Sequence, residues 1–150
     1  MKKSFFGLMA VGSLLMSGHT SSAQSNSKTE VEKVVQGYFN ALNASDGAKV
    51  VSFFTADGVL LPSAAPTAEG IEQLKGNYQY VFDNYTFDLK VSVGTVTVQG
   101  NYAFVRSTSK GTLGIKANGQ KIEAEFRELF VLQKVKGSWK IATYMYNQSK

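Results

Sequence analysis

From Thr86 to the carboxy terminus the hydrophobic period is two and stays two, which commits the last third and more of the chain to long strands. Phe87, Leu89, Val91 and Val93 alternate with Asp88, Lys90 and Ser92; beyond Gly94 the apolar positions become Val96 and Val98, a slip of one residue. A bulge at Gly94 accounts for the slip and bends the strand. Turn signals at Gln99-Gly100-Asn101, Asn118-Gly119 and Lys136-Gly137-Ser138 divide the run into four strands, the second spanning Tyr102 to Lys116. The last two, Lys121 to Val135 and Trp139 to Asn147, form a hairpin that the rest of the chain must pair with or pack upon.

Upstream the period is helical. Val31, Val34, Val35, Tyr38, Phe39 and Leu42 fall on one side of a helix from Glu30 to about Asn43–Ser45, preceded by a polar, flexible lead-in over Ser25 to Thr29. Asp46 is placed to cap a second helix, with Val50, Val51, Phe53 and Phe54 inward and Asp57-Gly58 ending it in a turn. Val59 to Leu61 is a short strand cut off by Pro62, and Ser63 to Thr67 is a loop. A third helix runs from about Ala68 to Asn84, with Ile71, Leu74, Tyr78, Val81, Phe82 and Tyr85 at helical spacing. Helices followed by a run of strands give an α+β domain, with helices on one face of a curved, mostly antiparallel sheet and a cavity at the wide end.

The first 23 residues read as a leader rather than as fold. Lys2 and Lys3, an apolar run from Phe5 to Met16 and the small residues Ser21-Ser22-Ala23 have the order of a secretory signal peptide, too short for a comfortable membrane span. Cleavage after Ala23 leaves a domain from Gln24 to Lys150, secreted or periplasmic and free of the membrane; a retained amino-terminal anchor is the alternative. The one histidine, His19, leaves with that segment, and the chain has no cysteine. A domain with neither residue cannot run Ser-His or Cys-His catalysis, build a histidine-ligated metal site or carry a disulfide, so no metal is expected, and with no nucleotide-binding glycine motif or flavin site visible no cofactor is expected either. Net charge falls from +5 to +3 with the loss of Lys2 and Lys3, the remaining lysines are scattered, and nucleic-acid binding has no support.

Pairing the strands assigns their faces. A two-residue Asn118-Gly119 turn sets Ala117 opposite Gln120, and so Ser107 opposite Phe130 and Ser109 opposite Glu128. Across the Lys136–Ser138 turn, Ile141 lies beside Leu132, Thr143 beside Phe130 and Met145 beside Glu128. Phe126, Glu128, Phe130, Leu132, Ile141, Thr143 and Met145 then share the more apolar, concave face. The other face carries Arg106, Arg127, Leu129, Val131, Tyr144 and Tyr146, a composition suited to a homodimer surface. Alternatively the arginines bind an anion, if the register slips by one, or pair with Glu125. Glu128 among aromatic and aliphatic side chains has its carboxyl pKa raised by desolvation and becomes a candidate proton donor or weak base. The alternative is a hydrated or lysine-paired Glu128 near the open edge.

The segments Tyr38-Phe39-Asn40-Ala41-Leu42-Asn43-Ala44-Ser45-Asp46, Phe54 to Leu60, Arg127-Glu128-Leu129-Phe130-Val131-Leu132 and Trp139-Lys140-Ile141-Ala142, in that order and spacing, resemble the nuclear transport factor 2-like (NTF2-like) superfamily, closest to its SnoaL-like and DUF4440 branches. The resemblance spans the chain after the leader. It implies a cone-shaped α+β fold of three amino-terminal helices on the curved sheet, frequently dimeric, in a superfamily that holds isomerases, cyclases and epoxide hydrolases beside non-catalytic modules. Against ketosteroid isomerase, an Asp base with an oxyanion hole of tyrosine and protonated Asp, Tyr38 matches the oxyanion tyrosine. The base position falls at Leu61-Pro62, where there is no carboxylate. The expectation is therefore a small, largely apolar ligand in the cone, lined by Phe54, Leu60, Tyr78, Phe82, Phe130 and Thr143. Glu128 and Tyr38 are the candidates for metal-free acid–base chemistry of isomerase, cyclase or lyase type. The competing reading is a non-catalytic dimerisation or binding module in which the aromatic stripe Tyr38, Tyr78 and Phe82 is plain core.

Overall fold

The computed structural model describes residues 19–149, with side chains from 24 onward. The basic start and apolar run assigned to a leader lie outside the described residues. Among those described, three helices precede and interleave with six strands: α1 (His19–Asn43), α2 (Gly47–Ser52), β1 (Phe54–Leu61), β2 (Ala68–Glu69), α3 (Gly70–Asn84), β3 (Tyr85–Gln99), β4 (Tyr102–Ile115), β5 (Gln120–Val135) and β6 (Ser138–Gln148). The strands form one sheet in the order β2-β1-β6-β5-β4-β3, antiparallel throughout except where β1 runs parallel to β6. The carboxy-terminal hairpin thus sits at the centre of the sheet, as its position in the pattern requires.

α1 starts well before Glu30 and absorbs the expected lead-in, because its polar residues cost a helix little once Val31, Val35, Tyr38 and Phe39 anchor one face in the core. It ends at Asn43, and just beyond it Ser45 takes a left-handed φ of 53° while the amide of Asp46 reaches back to the carbonyl of Ala41. Asn43 extends this end into the sheet: its side-chain amide donates to the carbonyl of Leu89 at 2.8 Å, and its amide oxygen accepts from the Leu89 N–H at 3.0 Å, pairing like a strand residue. Asp46 caps α2 as expected, its carboxylate accepting from the Lys49 N–H at 2.9 Å. That helix stops at Ser52, however. Asp57 and Gly58 lie inside β1, where three extra residues bow out of the ladder between the Phe54–Ile141 and Val59–Thr143 pairs. Ala68 and Glu69 pair with β1 before α3 begins, and Leu74, Tyr78 and Phe82 fill the buried side of that helix.

The bulge between Val93 and Thr95 is where the phase slip placed it. A Cβ on Gly94 would stand 3.1 Å from the carbonyl oxygen of Arg106, and one on Gly111 only 1.9 Å from that of Asp88. Those two glycines let β3 and β4 approach and curl over the helices.

Two registers differ from expectation. The β4–β5 loop has four residues, with Ile115 opposite Gln120 and the Gly119 N–H donating to the Ile115 carbonyl. Asn118 turns inward to accept from the Gln120 N–H rather than forming a two-residue turn. Every β4 partner is displaced by two, so Ser107 faces Glu128 and Ser109 faces Phe126. A shift of two keeps each side chain on its expected face. In β6 a bulge at Ala142 follows the Leu132–Ile141 pair, and the next pairs are Val131–Thr143, Phe130–Tyr144 and Glu128–Tyr146. That one extra residue exchanges the faces of everything after it. Tyr144 and Tyr146 turn into the cone, and Thr143 and Met145 turn out.

Candidate cone site

The centre of the site is a pair of phenols from different helices. Tyr38, near the carboxy-terminal end of α1, and Tyr78, in the middle of α3, are 2% and 3% exposed, and their hydroxyls meet at 2.8 Å. Rings pack around them: Phe39, Phe54 and Phe130 lie edge-on against Tyr38, with centroids 5.4, 6.2 and 5.8 Å away. Tyr144 lies 5.1 Å from Tyr38 and stacks flat on Phe130, at 4.1 Å and 6°. Burial pushes all three phenols well above the ordinary tyrosine pKa. Neighbouring Tyr78 and Tyr144 add to this for Tyr38, and Glu128 adds to it for Tyr144. At neutral pH they are proton donors and never phenolates.

The second polar group is Glu128 on β5, 6% exposed. Its two carboxyl oxygens are each held at 2.5 Å by one hydroxyl, Ser107 on Oε2 and Ser109 on Oε1, both from β4. No lysine or arginine pairs with it: among the described residues the ion pairs are Lys75–Glu72, Lys110–Glu125 and Lys134–Glu30. Burial raises the Glu128 pKa, and the two serine hydrogen bonds oppose the rise.

The three tyrosines and Ser109 border an open cavity of about 510 Å³. Tyr38, Tyr78, Tyr144 and Tyr146 make its polar end, Leu60, Phe87, Leu89, Leu113 and Phe126 its apolar walls, and the segment Pro62 to Pro66 with Asn77 and Tyr80 its mouth. Tyr80 is 63% exposed there. Among the described residues neither arginine nor lysine lines it.

Of the residues expected to line the cone, Tyr38, Leu60 and Tyr78 do so. Phe54, Phe82 and Phe130 form the layer behind: Phe82 is stacked on Tyr78 at 5.9 Å and Phe130 is covered by Tyr144. Thr143 lies on the opposite face because of the Ala142 bulge. Glu128 stands one hydroxyl removed from the space, behind Ser109, which does line it. Tyr144 and Tyr146, read as outward residues, are the principal omissions. Their only advance sign was that a buried phenol carries a polar tip suited to a pocket.

Residues 35–141 match the SnoaL-like domain family. Among solved structures, a ketosteroid isomerase-like protein from Erwinia carotovora atroseptica is 34% identical, covering 82% of this chain and 96% of its own, with a TM-score of 0.79. A dehydratase candidate of the NTF2-like family from Streptomyces avermitilis shares the fold at 15% identity and a TM-score of 0.72, covering 84% of this chain and 98% of its own. An NTF2-like protein of unknown function from Pseudomonas putida does so at 12% and 0.67, covering 82% and 87%. No functionally curated protein matches in sequence.

Proposed function

The chain belongs to the SnoaL-like domain family within the NTF2-like superfamily, and from that premise we propose that it binds a small, largely apolar molecule in the cone. The observation that carries this reading is the open space of about 510 Å³ ending at the Tyr38–Tyr78 hydroxyl pair. A volume of that size accommodates a metabolite-sized body. Two phenols sharing one hydrogen bond leave one O–H free to donate, so a ligand oxygen at that end gains a directed, desolvated hydrogen bond.

Chemistry beyond binding is limited by what faces the space. The likeness to a ketosteroid isomerase-like protein brings in proton transfer next to a polarised carbonyl. The position that a base would take at the end of β1 holds Leu61 and Pro62, and the one carboxyl near the cavity is screened by Ser109. If the domain turns a substrate over, Glu128 acting through Ser109 as weak acid or base, with Tyr38 as electrophile, is the arrangement its residues offer. Secretion by the leader over residues 1–23 and homodimerisation through the outer sheet face belong to the same proposal. Tyr102, Phe104 and Met145 expose 46, 43 and 38% of their surface on that face.

The test is a thermal-shift screen of residues 24–150 against apolar metabolites, with NMR of the tyrosine rings. A hit raises Tm by mass action and moves the resonances of Tyr38 and Tyr144. If no compound moves either reading, the cone is only core and the non-catalytic module is the better description.

A further inference from the structure

The cavity combines features that point to the charge of its ligand. Its polar end is walled by Tyr38, Tyr78, Tyr144 and Tyr146, with Phe126 edge-on to Tyr146 at 5.6 Å. Aromatic faces carry negative potential and attract cations. Behind this end lies Glu128, directly opposite Tyr146 in the β5–β6 ladder and without a basic partner among the described residues. A buried carboxyl with no countercharge either keeps its proton or waits for a cation. Ser109 fixes the direction of the hydrogen bonding: its proton is committed to Oε1 of Glu128, so towards the cavity it offers lone pairs and asks for a donor. An anionic ligand would meet aromatic rings with the Glu128 carboxyl behind Ser109 and, among the described residues, no lysine or arginine lining the space.

We propose that the cone selects a ligand whose apolar body bears a protonated amine, with the ammonium seated between the tyrosine rings and the Ser109 hydroxyl and the Glu128 carboxylate as its countercharge. The inference rests on the binding reading above and narrows its ligand class. A shallow groove between α1 and β3, bordered by Glu32, Lys33, Val91 and Val93, has no comparable enclosure and carries no such signal.

Three probes of one size separate the possibilities: phenethylamine (cationic at neutral pH), 2-phenylethanol (neutral) and phenylacetate (anionic), titrated into the protein at pH 7.5 and followed by tyrosine-ring NMR. Phenethylamine should bind at least tenfold more tightly than the alcohol, and phenylacetate more weakly than both. In Glu128→Gln the amine-to-alcohol ratio should fall to near one. Ser109→Ala, which removes the acceptor but leaves the carboxylate, should lower the ratio in part, and it serves alone if Glu128→Gln does not fold. An alcohol that binds as well as the amine overturns the cation inference while leaving the binding reading intact. So does an amine preference that survives both substitutions. If none of the three moves the cavity tyrosines, the binding reading falls and the inference with it.

Discussion

At the scale of single residues, Glu128 and Tyr38 show how burial sets chemistry. The Glu128 carboxyl is taken out of water and given two hydroxyls, a weaker compensation than an arginine would provide, and its pKa stays raised. A raised acid favours the protonated state of the fold. Its stabilisation is complete below the pKa that the same group has in the unfolded chain and is lost as pH rises through the folded value. Chemical denaturation across that window should therefore show the protein losing stability relative to Glu128→Gln, with the difference level at higher pH; parallel curves for the two would refute it. The tyrosines are raised as well, but from a starting point far above neutrality, so they contribute no slope there. Tyr38→Phe removes the 2.8 Å contact and leaves the buried Tyr78 hydroxyl without that partner. The expected cost is about 1–2 kcal/mol in urea unfolding, with weaker binding of any ligand that accepts a hydrogen bond; a Phe variant as stable as the parent would mean that water replaces the partner.

At the scale of elements, curvature comes from particular backbone contacts. With the Asp88 oxygen 1.9 Å from where its Cβ would be, Gly111→Ala must force β3 and β4 apart. Destabilisation of about 3 kcal/mol or more is expected, against a small effect for Gly76→Ala, whose Cβ meets nothing and whose helix would gain propensity. Equal effects of the two in thermal unfolding would show that the strand contact yields easily. The same elements explain what could be read in advance. The bulge at Gly94 was legible because the apolar phase visibly slips there. The inward face of β5 was legible even with the loop misjudged, because a two-residue displacement preserves parity and Ser107 and Ser109 still flank Glu128. The β6 faces were not. Lys140-Ile141-Ala142-Thr143-Tyr144-Met145-Tyr146 alternates plausibly in either phase, and the extra residue at Ala142 exists where β6 meets β1, the Ile141 N–H donating to the carbonyl of Phe53. A tertiary pairing with a distant strand leaves no mark on local periodicity. Asp57-Gly58 misled for a related reason, as its turn chemistry is used within β1.

At the scale of the molecule, one sheet serves two sides. Its concave side is closed by α1 and α3 except at the cone, whereas its convex side is covered by none of the elements among the described residues. There Phe104, Val131 and Thr143 line up across β4, β5 and β6, and Arg106, Leu129 and Met145 form the next row. Four strands at about 4.8 Å spacing and about a dozen residues long present on the order of 800 Å², which is what one partner of a stable interface contributes. Lys110 and Glu125, bridged at 3.0 Å, and Arg127 supply the polar rim of such a surface. Two-fold pairing of this face would bury the exposed aromatics while leaving both cone mouths open, so binding and association would be independent. Sedimentation equilibrium should show a dimer whose dissociation constant rises roughly thirtyfold, about 2 kcal/mol, in Phe104→Asp. Because Phe104 is 43% exposed, the monomer itself should lose no more than about 0.5 kcal/mol. A monomeric parent at every concentration would refute the interface, and so would a dimer indifferent to both Phe104→Asp and Met145→Asp.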